Sequence, residues 1–283
     1  MDVNALITDA TRVVSLPSTY LRLTEILNKP SHTAQEIAKL IEQDPGLSVR
    51  LLKIANSAAY GLSRKVDSIS RAVTLLGNDP LRDLVLSTQV VDSFDGIPND
   101  LVTMQDFWYH SIACAIGSKY LAQRAKIPDA DSAFIAGLLH DIGQLVMFNA
   151  LPEQSRQSLL MSIDDELNLE HEQCERQLIG FDHAELGAAL AQKWNLPELL
   201  QEAIACHHQP EQAKNHPRLV AAVHIANILA VLAEIRSTNP EDAAPIHPAA
   251  WKTLGLNPVD TLGEAINYIR ENVASLQSLL SGR

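Results

Sequence analysis

An all-α fold is what the sequence predicts, on three observations. Aromatic residues make up only 5% of the 283-residue chain, and β-branched runs are short. Leu and Ala recur at spacings of three and four almost throughout, which keeps apolar side chains on one helical face turn after turn. Residues that start and stop helices bracket several of these segments, and no segment reads convincingly as a strand. With 46% hydrophobic and 20% charged residues the chain can bury a large core, which excludes disorder. Its length allows one large domain or two modest ones.

The elements follow in order. Thr33-Ala-Gln-Glu36 has the spacing of a capping box, in which the Thr side chain and the Glu three residues on satisfy each other's free backbone donors. A short helix to about Glu42 follows. Asp44-Pro45 then restarts the chain, since Asp is a good N-cap and Pro is pre-shaped for the first helical position. That helix turns Leu47, Leu51, Leu52 and Ile54 inward. At its end Asn56-Ser57 reads as a cap or a bridge to a neighbouring helix, because an Asn inside a helix competes for backbone hydrogen bonds; a ligand or partner contact is the alternative. Ser68 caps a helix holding Ile69, Val73 and Leu76 that Gly77 stops, and a longer helix runs from Pro80 to about Phe94. Asp95-Gly-Ile-Pro-Asn-Asp100 is the internal boundary. Beyond it, helices are expected at about 103–126, 130–149, 153–179, 182–194, 197–208 and 217–235. The acidic run Asp164-Asp165-Glu166 reads as a solvated face. Ser237-Thr-Asn-Pro-Glu-Asp-Ala-Ala-Pro245 reads as a polar linker, and an amphipathic helix over about 258–280 closes the chain, with Trp251 and Tyr268 as packing anchors.

Charge and cysteine usage narrow the function classes. The net charge of −12, from 22 Lys plus Arg against 34 Asp plus Glu, argues against broad contact with nucleic-acid phosphates or an anionic membrane surface. No uninterrupted apolar run approaches the roughly 18 residues that span a bilayer, so a soluble protein is expected. MDVNALITDA lacks the basic start and apolar stretch of a secretory signal, and Cys114, Cys174 and Cys206 form no disulfide framework. A cytoplasmic protein with thiols in its core is the reading.

One segment carries chemistry. Residues Ala133 to Phe148, AFIAGLLHDIGQLVMF, contain one carboxylate and no basic residue other than His140, so a helix here is apolar nearly all round and buried. At about 100° per residue, Asp141 falls between Phe134 and Phe148 in the stripe that holds Leu138, Ile142 and Leu145. A bare carboxylate there costs several kcal/mol, so Asp141 is protonated, paired with a cation or bound to a metal. The alternative is an Asp bonded to backbone amides at a helix end. His140 lies beside Ala136, Gly143 and Met147, where small residues let another helix approach.

Other histidines stand on different expected helices: His110, His183 at the start of its helix, and His207-His208 at the end of theirs. Imidazole and carboxylate ligands without thiolate suit iron, manganese or zinc in a mono- or dinuclear site, with one Asp able to bridge. The implied chemistry is hydrolysis, two metals activating a water and neutralising a phosphate ester. Against this, His110 could plug the aromatic cluster Phe107-Trp108-Tyr109, and His207 and His208 could be surface cations in a last helical turn. A helix N-terminus favours a neutral His183.

The spacing His110, His140-Asp141, His183, His207-His208 resembles the HD superfamily of metal-dependent phosphohydrolases. Leu16-Pro17, Asp44-Pro-Gly-Leu47, Arg50-Leu-Leu52, Ala55-Asn-Ser-Ala58, Tyr60-Gly61, Ser68-Ile-Ser-Arg-Ala72, Leu76-Gly77 and Gly137-Leu-Leu-His-Asp-Ile-Gly143 narrow the resemblance to an HDOD domain, the HD-related output domain, over about residues 13 to 234. What the resemblance implies is an N-terminal helical lobe (1–95) packed on an HD-like helical lobe (103–236), a single compact unit with a C-terminal helical extension (246–283). It further implies a regulatory output domain of bacterial signalling proteins. Catalytic relatives complete the ligand set with an Asp where Val220-Ala-Ala-Val-His-Ile-Ala-Asn227 holds Asn227, so the metal site is expected to be degenerate, with His224 as a substitute one turn earlier. The glycine-rich motif of the cyclic-di-GMP phosphodiesterases does not follow His207-His208-Gln-Pro.

Two functions follow as expectations. The first is a non-catalytic signalling module, its metal site degenerate or empty, acting through a protein partner or a nucleotide or phosphate-ester ligand. The second is a working phosphodiesterase or nucleotide phosphohydrolase in which Asp141 is the catalytic bridging ligand and His110, His140, His183, His207 and His208 complete the centre.

Overall fold

A computed structural model of the chain describes residues 3, 6, 18–57, 66–92, 101–128, 130–164, 167 and 169–280. Among them every regular element is helical and there is no strand. Contacts divide the chain into two compact units, one built on Ser15–Asp95 and one on Gly96–Glu271, with the residues from Asn272 on grouped with the first. The expected boundary at 95–100, the helix end near Phe94, Leu16-Pro17, Ala58, Tyr60-Gly61 and Asp165-Glu166 lie outside the described residues.

The first unit contains α1 (Ser18–Leu27), α2 (Ala34–Ile41), α3 (Pro45–Ala55), α4 (Ile69–Leu76) and α5 (Asn78–Asp92). The capping box at Thr33 and Glu36 is formed, and Asp44 accepts from the Leu47 amide at 3.0 Å to start α3. Ser68 caps α4, and Gly77, at φ +83°, ends it in backbone that a side chain would strain. Leu23, Ile37, Ile41, Leu47, Leu51 and Leu84 are fully buried, each contributing roughly 1.5 to 3 kcal/mol. Leu52, expected inward, is half-buried. Asn56 is a structural bridge: its Nδ2 donates to the carbonyls of Leu52 and Val66, and its Oδ1 accepts from the Val66 amide, all at 2.7 Å.

The second unit contains α6 (Met104–Arg124), α7 (Ala130–Leu139), α8 (Ile142–Ala150), α9 (Pro152–Ser162), α10 (His171–Ile179), α11 (His183–Lys193), α12 (Glu198–Cys206), α13 (Pro217–Glu234), α14 (Pro248–Leu254) and α15 (Pro258–Leu280), the last running on past Glu271. The long helix α6 packs chiefly on α7 and α13, and Ile112, Phe134, Leu145, Phe148 and Val223 are buried.

The sequence-based expectation is corrected in three places. Residues 130–149 are not one helix: the chain turns at His140-Asp141, between α7 and α8. Residues 153–179 are two helices, because Glu170 and Gln173 form a capping box that starts α10 afresh. The expected linker over 237–245 contains a 3-10 turn, Pro240–Asp242, capped by Asn239, and α14 follows it. Ala130–Ala150, broken by the turn at His140-Asp141, and Pro217–Glu234 are long and apolar enough by composition to cross a membrane; 83% and 72% of these apolar stretches are buried within the protein, as in core helices. Trp251 is buried and Tyr268 stacks near Tyr120, ring centroids 4.8 Å apart.

Candidate metal centre

The turn at His140-Asp141 is what builds the site. By breaking the apolar helix it swings α8 against the start of α11, so closely that a Cβ on Gly143 would fall 2.0 Å from the His183 carbonyl oxygen and 2.7 Å from the Gly187 nitrogen. Glycine at 143 is therefore a requirement of helix approach. Asp141 stands at the N-terminus of α8 without capping it, so neither a mid-helix position nor backbone capping describes it.

All six residues singled out from the sequence come together. His110 arrives from α6, His183 from the first turn of α11, and His207 and His208 from the end of α12. The carboxylate of Asp141, 6% exposed, lies among them. Its Oδ1 is 3.3 Å from His183 Nε2 and 3.4 Å from His207 Nε2. Its Oδ2 is 3.1 Å from His140 Nε2 and 3.7 Å from His110 Nε2. One carboxylate thus faces two sets of imidazoles, one per oxygen.

The nitrogens are aimed. His140 Nδ1 donates to the Gly137 carbonyl at 2.7 Å, His207 Nδ1 to the Ile204 carbonyl at 2.8 Å, and His183 Nδ1 to Glu175 Oε2 at 2.6 Å. An acceptor at Nδ1 fixes the proton there and leaves the Nε2 lone pair of a neutral imidazole free, which is how metal-ligating histidines are held. His183 Nε2 lies 2.8 Å from His208 Nε2 and 3.4 Å from His207 Nε2. Nitrogens each about 2.1 Å from a common ion are separated by about this much. One ligand atom from each of Asp141, His183, His207 and His208 lies within 4.8 Å of the others. Asp141 Oδ1, at the middle of this set, is buried with no hydrogen-bond partner among the described residues. This half of the centre fits a divalent cation.

The other half also brings a ligand atom of each of His110, His140 and Asp141 within 4.8 Å of the others, but one of its nitrogens is engaged. His110 Nε2 lies 2.9 Å from Asn227 Oδ1, and an amide oxygen only accepts, so His110 donates through the nitrogen that faces Asp141. His224, the expected substitute, is engaged elsewhere: its Nδ1 donates to the His207 carbonyl at 2.7 Å and its Nε2 accepts from the His247 amide at 2.9 Å.

Electrostatics follow the geometry. Burial would raise the Asp141 pKa, but the close imidazoles of His140, His183 and His207 hold it well below the usual carboxylate range. Burial would lower His140, and the Asp141 carboxylate reverses that. His183, expected neutral, is raised well above the ordinary value because Glu175 and Asp141 outweigh its burial. His110 and His224 are pushed down to about 4, chiefly by burial.

The sequence reading missed Glu175, buried on α10, which also accepts from the His183 amide at 2.9 Å. It missed His171 too, whose Nε2 lies 3.5 Å from Glu175 Oε1. The available signal was a Glu eight residues before His183, on the segment mistaken for the end of one long helix. A pocket of about 440 Å³ opens onto the centre, with Phe107, Ile228, Val231 and Pro245 among its apolar lining.

A family model described as the HDOD domain matches residues 13–210. An uncharacterised protein of Treponema pallidum (strain Nichols) is 32% identical over 218 residues, 76% of this chain. The chain spans less than half the length of the curated relatives it matches, 42% of that protein and 15% of YuxH of Bacillus subtilis (strain 168). An HDOD domain protein of unknown function from Geobacter sulfurreducens superposes with a TM-score of 0.72 at 27% identity, covering 97% of this chain and 99% of its own. A candidate phosphohydrolase from Shewanella amazonensis SB2B gives 0.75 at 26% identity, with 98% of each chain covered.

Proposed function

The chain belongs to the HDOD-domain family, and from that premise we propose that it is a signalling module whose histidine centre holds one divalent metal ion as a fixed binding element. Asp141, His183, His207 and His208 would hold the ion, and iron, manganese or zinc suits such donors. When bound, the ion supplies a Lewis acid and a site for an oxygen ligand. The module's output would pass to a protein partner; relatives that carry the match within longer chains support a domain working in a larger assembly.

The observation that carries this reading is the 2.9 Å bond between His110 Nε2 and Asn227 Oδ1. A dinuclear hydrolytic centre needs both halves, and here the second half has a neutral amide in place of a carboxylate and a histidine whose nitrogen is already donating. The test is the metal content of protein purified without chelator or metal-affinity tag. One equivalent is expected in wild type, none in Asp141→Ala, and up to two in Asn227→Asp. Two equivalents in wild type, with turnover of bis(p-nitrophenyl) phosphate that depends on Asp141, would sink the reading. That outcome would favour a second one, a metal-dependent phosphohydrolase bridged at Asp141, which the aimed His183 and His207, the adjacent His208 and the likeness to the Shewanella amazonensis protein support.

A further inference from the structure

Of the three histidines grouped with Asp141 Oδ1, His208 differs from the other two in its outer nitrogen. His183 and His207 are held at Nδ1 by Glu175 and by the Ile204 carbonyl. His208 has its Nε2 2.8 Å from His183 Nε2, while its Nδ1 faces Glu172 Oε2 across 3.7 Å. That gap is too long for a hydrogen bond.

The carboxylate across the gap is not an ordinary surface acid. Glu172 lies in the first turn of α10, where an acid commonly complements the helix dipole and needs no partner. Here the side chain is only 13% exposed, and its one ion-pair partner among the described residues is His208. Glu175 follows three positions on, which places the two carboxylates side by side on the helix. They stand behind two imidazoles whose inner nitrogens meet, with the Glu175 contact closed at 2.6 Å and the Glu172 contact open. Closing the second contact has a chemical reason. An imidazole that ligates through Nε2 carries its hydrogen on Nδ1, and that hydrogen calls for an acceptor. Glu172 borders the pocket, so its side chain has room to turn, and an approach of about 1 Å would make a charge-assisted hydrogen bond.

We propose that Glu172 is the positioning residue for His208, closing on its Nδ1 when the centre takes up a divalent ion, as Glu175 already does on His183. The inference rests on reading Asp141, His183, His207 and His208 as the ligand set, and it names the residue that completes their support.

The full chain, stripped of metal, is titrated with cobalt(II) against a competing chelator, and the visible absorption of the bound ion is recorded. Glu172→Met keeps length and helix propensity and removes the acceptor, whereas Glu172→Gln removes the charge and keeps an acceptor oxygen. Glu172→Met is expected to bind cobalt(II) about tenfold more weakly than wild type, with the absorption band altered in the same sense as in His208→Ala. Glu172→Gln should recover most of the affinity. In a His208→Ala background, Glu172→Met should cost nothing further. Wild-type affinity in Glu172→Met, no recovery in Glu172→Gln, or losses that add in the double variant would each overturn the proposal. Metal-free melting temperatures should be unchanged; a purely structural role would lower them in both backgrounds and leave the cobalt band as in wild type. Wild-type protein that takes up no cobalt(II) would sink the metal reading itself. One equivalent bound by wild type and equally tightly by both Glu172 variants would sink this inference alone.

Discussion

The two halves of the histidine centre share one carboxylate and differ in what holds their other atoms. Around Asp141 Oδ1, His183 and His207 are each pinned at Nδ1 by an acceptor, so their Nε2 atoms are turned inward, where the neutral ring offers a lone pair, and converge with that of His208. Around Oδ2, His140 is pinned in the same way, but His110 spends its Nε2 hydrogen on Asn227. Both halves contain histidines at coordinating range of an aspartate. The difference teaches that residue type and distance do not make a ligand; the partner of the second nitrogen does.

That comparison can be broken or sharpened by substitution. The largest effect is expected from Gly143→Ala, which attacks both halves at once. The new methyl would meet backbone atoms of α11 that cannot swing aside, so a loss of about 3 kcal/mol is expected in urea unfolding. A midpoint equal to wild type would mean that the turn at 140–141 does not depend on this approach.

Next comes Glu175→Gln, which keeps the shape beside His183 and removes the charge. Metal affinity, measured against a competing chelator, should fall about 10- to 100-fold, whereas Asn227→Ala should change it little. Equal effects of the two would erase the distinction between the halves.

The smallest effect is a change of slope with pH in chelator-treated protein. His110 titrates near 4 in the folded chain because it is buried, against an ordinary value near 6.5. The unfolded chain takes up its proton first, so stability is lost as pH falls from about 6.5 toward 4, and His110→Gln should flatten that acid limb. His183 is shifted the other way by Glu175 and Asp141. Its contribution is full below about 6.5 and is lost as pH rises through the elevated value, so His183→Gln should flatten the alkaline limb. Melting temperatures across pH check both, and identical profiles for the two variants would contradict the assignment.

The sequence announced the members of the centre better than its architecture. Asp141 was legible because a lone carboxylate in an apolar segment must have a partner, and Gly143 because a small residue beside a buried histidine invites a neighbouring helix. The turn at His140-Asp141 was not legible: neither Gly nor Pro marks it, and hydrophobicity continues unbroken on both sides. Glu175 was hidden because a buried carboxylate on a mostly polar helix looks like a surface one until its imidazole partner is folded against it. Ala243 to Pro245 read as linker from composition, yet they line the pocket. In the first unit the caps at Thr33, Asp44, Ser68 and Gly77 were all readable, since each is a local interaction between residues a few positions apart.

His224 holds a place of its own in time. The His247 amide gives its hydrogen to the ring of His224, 2.9 Å away, and the far side of the same ring holds the His207 carbonyl. An amide tied this way trades its hydrogen for deuterium only while the ring lets go. The exchange rate at His247 is therefore a clock for excursions of the segment that walls the pocket. A bound molecule resting on Pro245 would slow that clock, and the slowing could be followed at a single backbone position, with no need to know what the molecule is.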